Sequence, residues 1–315
     1  MRILITGGTG FVGSHLVGLL RKKDCAIAVL APTQVAPHET GIDYHCVDIR
    51  DAQGIREVLQ RTNPEQIYHL AGVSTVDAAT RQPSQAYETN VIGTHNVFDA
   101  AMNAQCPPRI LNVSTAQVYA PSARKLTEDS RLGPENPYAA SKAMAEMLTY
   151  QYRGRQKGGI TTARSFNHTG PGQSPAYILP AIAKQFAEIE SGLRLPRLSL
   201  GNLEVKRDFT DVRDVVRAYW MLLMHGKAGE IYNVCSGTAV ALSDIVEMFR
   251  VICDIKVTID REPSRVRSKD AAEVSGDPAK IHADTGWEPE IPLEQTIRDL
   301  LHYWRMKCRG AAVSR

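Results

Sequence analysis

The amino-acid sequence predicts an α/β protein with a doubly wound parallel sheet and a smaller C-terminal α/β lobe. Short apolar runs alternate with helical patterns of about ten or more residues in the first half of the chain, as in successive βαβ units. A glycine-rich segment directly follows the first apolar run. The alternation becomes less regular after Arg164, which predicts a second, differently built lobe.

The first half of the chain predicts six strands and four helices. Residues 1–6 form a nearly continuous apolar run, which is typical of a strand buried on both faces of a parallel sheet. The other strands are predicted at residues 26–30, 44–47, 66–70, 109–113 and 159–164. The helices are predicted at residues 11–22, 52–61, 84–104 and 138–156.

The second half of the chain begins with a loop at residues 167–175, which is rich in Gly and Pro. Helices with short strands between them are then predicted at residues 179–191, 212–224, 242–253 and 293–307. We expect residues 1–166 to form the first domain, together with a return of the chain at about 205–232. Residues 167–315 are expected to form the second lobe, which completes a cleft over the sheet.

The composition is that of an ordinary globular protein, with 43% hydrophobic and 23% charged residues, and excludes a mostly disordered chain. The net charge of +3 comes from 37 basic and 34 acidic residues, so no nucleic acid partner is expected. No run approaches the roughly 18 uncharged apolar residues of a spanning helix, so no membrane association is expected, and the N-terminus does not resemble a signal peptide. The six cysteines are scattered without a C-x-x-C pair, which predicts no metal site, no disulfide framework and a cytoplasmic location.

The glycine-rich segment lies between the first strand and the first helix and reads Thr6-Gly7-Gly8-Thr9-Gly10-Phe11-Val12-Gly13. Gly7 permits a tight turn, Gly10 lets the backbone approach a pyrophosphate, and Gly13 allows the helix to pack closely on the strand. The helix N-terminus adds N–H donors and a positive dipole end for the phosphates. The segment predicts a Rossmann-type dinucleotide site that includes Gly7, Thr9, Gly10, Phe11, Val12 and Gly13.

The end of the second strand leaves the choice between NAD and NADP open. NAD-binding sheets usually carry an acidic residue there, whereas this chain has Ala31, and no arginine lies nearby to favour NADP. Asp48, followed by Ile49, comes after the third strand and could accept a hydrogen bond from the adenine amine. Alternatively, Asp48 begins the next helix. The fourth strand ends in Leu70-Ala71-Gly72, where small side chains leave room for the cofactor.

Tyr138 and Lys142 are spaced so that they share one face of a predicted helix. A phenol with a pKa near 10 is a poor acid or base at neutral pH, but a neighbouring ammonium group and a cationic nicotinamide ring would lower that pKa. Thr115 ends the fifth strand and places a hydroxyl near the same substrate oxygen. We predict Thr115, Tyr138 and Lys142 as the catalytic residues, with Tyr138 and Lys142 also contacting the cofactor.

Further motifs run almost from end to end of the chain. They include Gly286-Trp287, Tyr87-Glu88-Thr89-Asn90-Val91-Ile92-Gly93-Thr94, Arg164-Ser165-Phe166-Asn167-His168-Thr169-Gly170-Pro171-Gly172-Gln173, residues 201–214 and residues 232–237. With these motifs the chain resembles the extended short-chain dehydrogenases/reductases of the nucleotide-sugar branch. It most resembles the GDP-4-keto-6-deoxy-D-mannose reductases (GDP-6-deoxy-D-mannose reductases), with GDP-mannose 4,6-dehydratases as near relatives.

The resemblance implies a GDP-sugar substrate, NADP or NAD as cofactor, and further site residues. Asn90, Asn167 and His168 join the cofactor-binding set. The residues that it assigns to the substrate are Ser74, Gln117, Asn167, Lys184, Arg207 and Arg267. Arg207 and Arg267 suit a diphosphate because a guanidinium group binds phosphate oxygens through two N–H donors.

Some of these assignments have alternatives. Ser268 replaces the proline that usually follows Arg267, which weakens that assignment. Arg207 could instead form an ion pair with Asp208 or Asp211. Lys184 could be an ordinary solvated lysine on a helix.

Three functions remain open at this point: reduction of a 4-keto nucleotide sugar, 4,6-dehydration or 4-epimerisation on the same fold, and cofactor-dependent regulation without catalysis. A dehydratase needs additional acid/base groups, and dehydratases of this branch carry a carboxylate one or two residues after the active-site threonine. This chain has Ala116 and Gln117 there. The residues after Thr115 therefore favour a reductase, although Glu128 or Glu135 could supply a carboxylate from elsewhere. The resemblance implies that its product is GDP-D-rhamnose.

The predicted helices at 84–104 and 138–156 indicate a homodimer. They carry many small and apolar positions, namely Val91, Val97, Ala100, Ala140, Ala143 and Met147. The resemblance implies that two copies pair these helices across a two-fold axis as a four-helix bundle. Alternatively, these side chains only pack on the sheet.

Overall fold

The computed structural model of the chain describes residues 1–33, 40–154, 158–262 and 271–313. Its central sheet has seven strands, each parallel to its neighbours. In spatial order the strands are β10 (Ile231–Val234), β6 (Gly159–Ser165), β5 (Arg109–Thr115), β4 (Gln66–His69), β1 (Arg2–Thr6), β2 (Ala26–Ala31) and β3 (Ile42–Cys46). The chain order reverses beside β1, which is where ligands bind in open α/β sheets.

Helices cover both faces of this sheet, and the predicted doubly wound α/β fold is confirmed. One face carries α1 (Phe11–Leu20) and α8 (Val212–His225), and the other carries α2 (Ala52–Thr62), α5 (Thr94–Met102) and α6 (Pro137–Thr149). Within β1, Ile3 and Ile5 pack in the first core and Leu4 packs in the second. Because both faces are buried, the strand sequence is continuously apolar instead of alternating.

The region predicted as one helix at 84–104 contains three different segments. α4 (Pro83–Tyr87) leads into a π-helical segment, Glu88–Gly93, before α5 begins, and α3 (Val76–Arg81) precedes them. A π-helical segment has hydrogen bonds between residues five apart instead of four apart, so the 3.6-residue pattern of an ordinary helix did not predict it.

The predicted helix at 138–156 is also different, because α6 begins at Pro137 and ends at Thr149. Asn136 caps its N-terminus by accepting a hydrogen bond from the Ala139 N–H. At the other end the chain turns through Gly154, whose positive φ of 77° is incompatible with a continued helix.

The smaller lobe has two small sheets and three long helices. Its strands are β7 (Asn167–Thr169), β9 (Lys206–Asp211), β11 (Ala239–Ala241) and β13 (Glu273–Val274) in one sheet, and β8 (Arg197–Leu200) and β12 (Thr258–Arg261) in the other. The helices α7 (Ile178–Glu190), α9 (Leu242–Cys253) and α11 (Leu293–Val313) enclose a separate apolar core. Phe186 and Phe249 stack in this core with their ring centroids 5.4 Å apart.

The chain returns to the larger lobe as α8 and β10, and α10 (Ala279–Thr285) packs against both of them. β9 belongs to the small sheet, so the returning segment comprises residues 212–234 and begins after β9, later than the predicted 205. Arg109 fixes the C-terminal end of α8 by donating to the carbonyl groups of Leu222, Met224 and Gly226. Over the four described ranges, no helix is both long and apolar enough to cross a bilayer.

Candidate functional site

The glycine-rich turn lies at the carboxyl end of β1 and packs directly against the end of β4. Gly7 has a φ of +73°, and a Cβ atom there would lie 2.8 Å from the Ala71 nitrogen. A Cβ atom on Gly13 would lie only 2.3 Å from the Gly7 carbonyl oxygen. Both positions therefore require glycine, since side-chain atoms would force the turn away from the helix and the strand.

The first turn of α1 fits the pyrophosphate of a dinucleotide cofactor. Its N-cap residue, Gly10, has no side chain to occupy the N–H groups of this turn, and the first turn carries no acidic residue. A Cβ atom on Gly10 would crowd the Gly7 carbonyl at 3.3 Å. The turn thus presents backbone donors and a positive helix end to an anion, with the predicted contacts Thr9, Phe11 and Val12 in the same segment.

A chain of buried hydrogen bonds fixes the ends of β1 and β4. The Thr94 hydroxyl donates to the Asn90 carbonyl at 2.7 Å and therefore accepts from His69 Nε2 at 2.9 Å. His69 Nδ1 then accepts from the Thr6 hydroxyl at 2.8 Å, and the Thr6 oxygen accepts from the Ala71 N–H at 3.2 Å. Burial lowers the pKa of His69 to about 3, so its ring is neutral and this tautomer is fixed. Leu70 and Ala71 are held beside the glycine turn as a result.

The Asn90 side chain is buried and hydrogen-bonded within the protein. It is 1% exposed. The amide oxygen accepts from the Val73 N–H at 2.7 Å, and the two amide protons go to the Val73 carbonyl and the Ser141 hydroxyl at 3.0 and 2.9 Å. Asn90 thereby ties the loop after β4 to α6, across Gly72, whose Cβ position would lie 2.7 Å from the Asn90 oxygen. The predicted contact of Asn90 with the cofactor stays a prediction.

Asp48 lies beyond β3 with its carboxylate held by Arg50 at distances of 2.7 to 3.1 Å. The hydrogen bond from Arg50 lowers the pKa of Asp48. The alternative that Asp48 caps the next helix is wrong, because Asp51 is the N-cap of α2. Ile49 is buried against Gly93. The predicted contact of Asp48 with adenine stays a prediction.

The structure brings Thr115 and Tyr138 together at the carboxyl end of β5. The Thr115 hydroxyl lies beside the Tyr138 phenol, and both residues are 8% exposed. The Gln117 N–H donates to the Thr115 oxygen at 3.3 Å, which fixes the hydroxyl. Burial raises the pKa of Tyr138 to about 12, and the effect of Thr115 only partly opposes this rise. The lowering expected from the ammonium group and a bound nicotinamide ring stays a prediction, because in the protein alone the cost of burying a phenolate is the largest effect.

Lys142 lies one turn after Tyr138 on α6, as the spacing predicts. Its ammonium group donates to the Val113 carbonyl at 2.8 Å. Burial lowers the pKa of Lys142 to about 8, against the opposing effect of the Glu146 carboxylate. The Nζ atom lies 3.6 Å from the position that a Cβ atom on Gly72 would take, so Lys142 reaches the small residues at the end of β4.

The smaller lobe contributes the loop around β7 to the other side of this site. The His168 ring lies parallel to the Phe11 ring at 6.3 Å, which brings two predicted cofactor residues together beside the glycine turn. Gln173 holds the loop by donating to the His168 carbonyl at 3.1 Å and accepting from the Thr169 hydroxyl at 2.7 Å. Asn167 is exposed at the start of β7 and free to face a ligand.

Ser74 and Gln117 both lie at the mouth of the site. The Ser74 hydroxyl is 3.4 Å from the Tyr177 hydroxyl, so a residue that precedes α7 in the smaller lobe reaches across to the larger one. Tyr177 also faces Tyr138, whose pKa it raises slightly further after the dominant effect of burial. The sequence interpretation missed Tyr177, although a tyrosine at the end of a Gly- and Pro-rich loop is a usable signal. The Gln117 side chain accepts from Asn136 at 3.3 Å.

Arg207 lies on β9, where its guanidinium group donates to the carbonyl groups of Lys206 and Ala271, both at 2.8 Å. The two carboxylates considered as its ion-pair partners have other contacts. Asp208 accepts from Ser236, Gly237 and Gly276, and Asp211 accepts from Arg213 and Thr296. The predicted role of Arg207 at the diphosphate stays a prediction.

Lys184, another basic residue of the predicted substrate set, has its ion-pair partner on its own helix. It pairs with Glu188 one turn further along α7 at 3.2 Å, and its side chain is 41% exposed. Its charge also lowers the pKa of Cys308 of α11, against the larger effect of burial. This placement agrees with the alternative of a solvated lysine, and the predicted contact with the substrate stays a prediction. Arg267 and Ser268 lie outside the described residues.

The chain is similar to known nucleotide-sugar enzymes over nearly its whole length. Residues 4–300 match the family model of GDP-mannose 4,6 dehydratase. The chain is 34% identical to GDP-6-deoxy-D-mannose reductase of Pseudomonas aeruginosa, over 98% of both chains. The solved structure of RMD from Pseudomonas aeruginosa complexed with NADPH is similar, with a TM-score of 0.86, 33% identity, and coverage of 98% of this chain and 100% of that one. UDP-glucose 4-epimerase of Thermus thermophilus in complex with NAD has a TM-score of 0.84 and 26% identity, over 97% and 99% of the two chains.

Proposed function

The chain belongs to the GDP-mannose 4,6-dehydratase family of nucleotide-sugar enzymes, and on this basis we propose that it is an NAD(P)-dependent oxidoreductase that reduces the C4 keto group of GDP-4-keto-6-deoxy-D-mannose to GDP-D-rhamnose. The match to a GDP-6-deoxy-D-mannose reductase over nearly the whole of both chains supports this substrate. The glycine turn and the uncapped first turn of α1 support a dinucleotide cofactor.

In the proposed mechanism a bound NADH or NADPH supplies the hydride. Tyr138 donates a proton to the C4 oxygen as that oxygen gains negative charge. The Thr115 hydroxyl, which lies beside the phenol, stabilises the developing alkoxide. Lys142 stabilises the negative charge that remains on Tyr138 after the proton has left, since it lies one turn away on the same helix.

The observation that carries the choice of reductase is the chemistry of the residues just after Thr115. Ala116 is buried and carries no functional group. Gln117 is exposed at the site and its amide bonds to Asn136, but an amide does not act as a base at neutral pH. Dehydration requires the removal of the C5 proton and the protonation of the leaving hydroxyl, in addition to oxidation at C4. This pair of residues supports reduction, which needs only one proton donor.

The two carboxylates considered as substitutes differ in their contacts. Glu128 accepts from the Asn233 N–H at 2.7 Å, and its own carbonyl accepts from Arg164 at 3.0 Å, so it is held away from the role of a mobile base. Glu135 is exposed beside Asn136 and is the carboxylate that must be tested. A Glu135→Gln variant with unchanged turnover would agree with the proposal.

The experiment that tests the proposal offers both substrates to the purified protein. GDP-mannose with NADP should give no 4-keto product by mass spectrometry. GDP-4-keto-6-deoxy-D-mannose should oxidise NADPH or NADH and give GDP-D-rhamnose in equal amount. Efficient dehydration of GDP-mannose by the pure protein would contradict the proposal. The same measurement with both cofactors decides their preference, which Ala31 at the end of β2 leaves open.

We also propose a homodimer, on the evidence of an apolar surface on the neighbouring helices. Met144, Met147 and Tyr150 are each between 46 and 48% exposed along and just after α6, and Ile92 of the π-helical segment is 53% exposed. Among the residues chosen from the sequence, Met147 lies on this surface. Val97 does not, because it is 1% exposed in the core beneath. Four large apolar side chains on adjoining helices support a two-fold interface.

A cytoplasmic location and the division into two lobes complete the proposal. The six cysteines are free thiols, four of them buried or partly buried, which supports a reducing compartment. The proposed cofactor lobe comprises residues 1–166 and the returning segment 212–234. The rest of residues 167–315 forms the proposed lobe that binds the nucleotide sugar.

A further inference from the structure

Glu146 is a fully buried carboxylate on the same helix as Tyr138 and Lys142. Its side chain is 0% exposed, and it lies one turn after Lys142 and two turns after Tyr138, on the same face of α6. Its ion-pair partner is Arg164 of β6, whose side chain is buried as well, at 3% exposed. The guanidinium Nε lies 3.1 Å from both carboxylate oxygens, and Nη2 lies 2.7 Å from Oε2. The guanidinium group therefore binds the carboxylate through two N–H donors, and both side chains are buried.

The remaining contacts of Arg164 hold it in place. Its Nη1 donates to the Glu128 carbonyl at 3.0 Å, and its guanidinium carbon lies 4.7 Å from the centroid of the Tyr119 ring. In the sheet, Arg164 is opposite Ser114 of β5, one residue after Val113, whose carbonyl accepts from Lys142. The ion pair thus joins α6, which carries Lys142, to β6. The neighbouring strand β5 supplies the carbonyl that accepts from the Lys142 ammonium group.

Stability alone is a weak reason for such a pair. Removing two charges from water costs several kcal/mol each, and apolar pairs of similar size are often equally stable or more stable. We propose that Glu146, oriented by Arg164, is a positioning residue that keeps Lys142 charged and directed at the active site. This inference rests on the proposed function, since it assumes that Tyr138 and Lys142 act in the reaction.

The electrostatics of the surrounding groups agree with this role. Burial lowers the pKa of Lys142 to about 8, and Glu146 is the group that raises it. His69 faces Lys142 from β4 and is neutral, since burial lowers its pKa to about 3. Arg164 approaches from β6 with a charge that Glu146 compensates. Tyr177 of the smaller lobe and Tyr219 of α8 face Tyr138, and burial raises the pKa of Tyr219. Among these groups, Glu146 is the one whose charge opposes the effect of burial on Lys142.

The direct test is the pKa of Lys142, measured by a pH titration of ¹³Cε-lysine NMR signals in the full-length protein, with a Lys142→Arg spectrum for assignment. Glu146→Gln should lower this pKa by about one unit, the usual effect of removing an opposite charge at this range. Glu146→Asp keeps the charge in a changed packing and should restore most of the difference. An unchanged pKa in Glu146→Gln overturns the inference, and so does an equal shift in Glu146→Asp.

The pH profile of kcat/KM gives a second reading. Because the ammonium form is required, the decline at high pH should begin about one unit lower in Glu146→Gln, whereas the rates should converge with the wild type at low pH, where Lys142 is charged in both. A uniform decrease at every pH indicates a merely structural role and refutes the inference. If the wild type reduces no nucleotide sugar, the proposed function fails, but the NMR titration still decides the role of Glu146.

Two further variants cover loss of folding and non-specific effects. Glu146→Gln leaves the charge of Arg164 buried without its partner, so the double variant Glu146→Leu/Arg164→Met is measured as well. It should fold and still show a lowered Lys142 pKa.

Asp214 is the matched control for effects of breaking a buried ion pair elsewhere in the protein. It is 2% exposed on α8 and paired with Arg217 at 2.9 Å, so Asp214→Asn disturbs a similar ion pair. A shift of the Lys142 pKa in Asp214→Asn that equals the shift in Glu146→Gln refutes a specific role.

Discussion

Replacing Tyr138 with Phe removes one oxygen atom and keeps the rest of the site. The ring packs with Ala79 and Ala86, and Phe preserves these contacts. The lost contact between the phenol oxygen and the Thr115 hydroxyl costs at most about 1.5 kcal/mol of the free energy of unfolding, the upper value for a hydrogen bond. The Thr115 oxygen still accepts from the Gln117 N–H, so no buried polar atom is left without a partner there. The variant should therefore fold normally.

The effect on turnover should be much larger than the effect on stability. A positioned general acid contributes about a hundredfold to ten-thousandfold, or about 3–5 kcal/mol of activation free energy. The glycine turn and Lys142 are unchanged, so the affinity for NADPH should stay within about twofold. The loss should appear in kcat and in kcat/KM alike, because the proton is transferred only in the transition state.

The assay measures NADPH oxidation by the 4-keto sugar in a single turnover, and NADPH affinity by fluorescence titration. Tyr68→Phe is the matched control. Tyr68 is also buried, and its hydroxyl makes one hydrogen bond of 3.1 Å to Gln66, but it faces the core near Arg109. Tyr68→Phe should keep its turnover. Equal turnover of Tyr138→Phe and the wild type would remove Tyr138 from the mechanism, and a loss of NADPH affinity to match the loss of rate would show that the substitution damages the site as a whole.

Three further predictions follow from the geometry. Gly13→Ala places a methyl group 2.3 Å from the Gly7 oxygen, which costs about 1–3 kcal/mol of stability and should weaken NADPH binding. The control Gly18→Ala, on the same helix, meets no atom within 4 Å and should raise the melting temperature. Equal NADPH affinity in the two variants contradicts this account of the turn. Thr115→Val should lower kcat by about a hundredfold because a donor to the developing alkoxide is lost, while Thr115→Ser should retain most of the activity; a Val variant as active as the Ser variant excludes a role for the hydroxyl. The wild type should have about twice the chain mass of 34.7 kDa in light scattering, and Met144→Glu/Met147→Glu should reduce it to one chain; a wild-type mass of one chain at micromolar concentration refutes the dimer.

The parts of the fold that were predicted from the sequence depend on local, repeating patterns. The apolar run at residues 26–30 became β2 almost residue for residue, because a strand buried on both faces tolerates few polar side chains. The strand predicted at residues 66–70 corresponds to β4, although it includes the polar side chains of Gln66 and His69. The glycine turn was predicted for the same reason. Gly7 and Gly13 are required by contacts with chain segments close to them in the turn, which a short motif can specify.

The parts that were missed depend on contacts between distant segments. The hydrogen bonds of the Asn90 amide to Val73 and Ser141 could not be predicted from its motif, because only the fold brings these residues together. The same holds for Tyr177, which meets Ser74 from about a hundred residues away. The sequence interpretation considered the two positive charges that would lower the pKa of Tyr138. It did not include burial, which a sequence does not reveal and which raises this pKa in the protein alone.

The protonation states of the protein alone show what a bound cofactor must change for Tyr138 to act. Burial raises the pKa of Tyr138 to about 12, so the phenol holds its proton at pH 7, and burial lowers the pKa of Lys142 to about 8, so the ammonium group is mostly charged. A phenol with so high a pKa is a weak acid, whereas a general acid works best when its pKa lies near the operating pH. Positive charge beside the phenol is therefore required, and Lys142 on the next turn of α6 and a cationic nicotinamide ring would both supply it. Reduction of a ketone and oxidation of an alcohol are the same proton transfer in opposite directions, so this pKa does not distinguish a reductase from a dehydratase or an epimerase. The choice of reduction depends instead on Ala116 and Gln117, which offer no second acid or base beside Thr115.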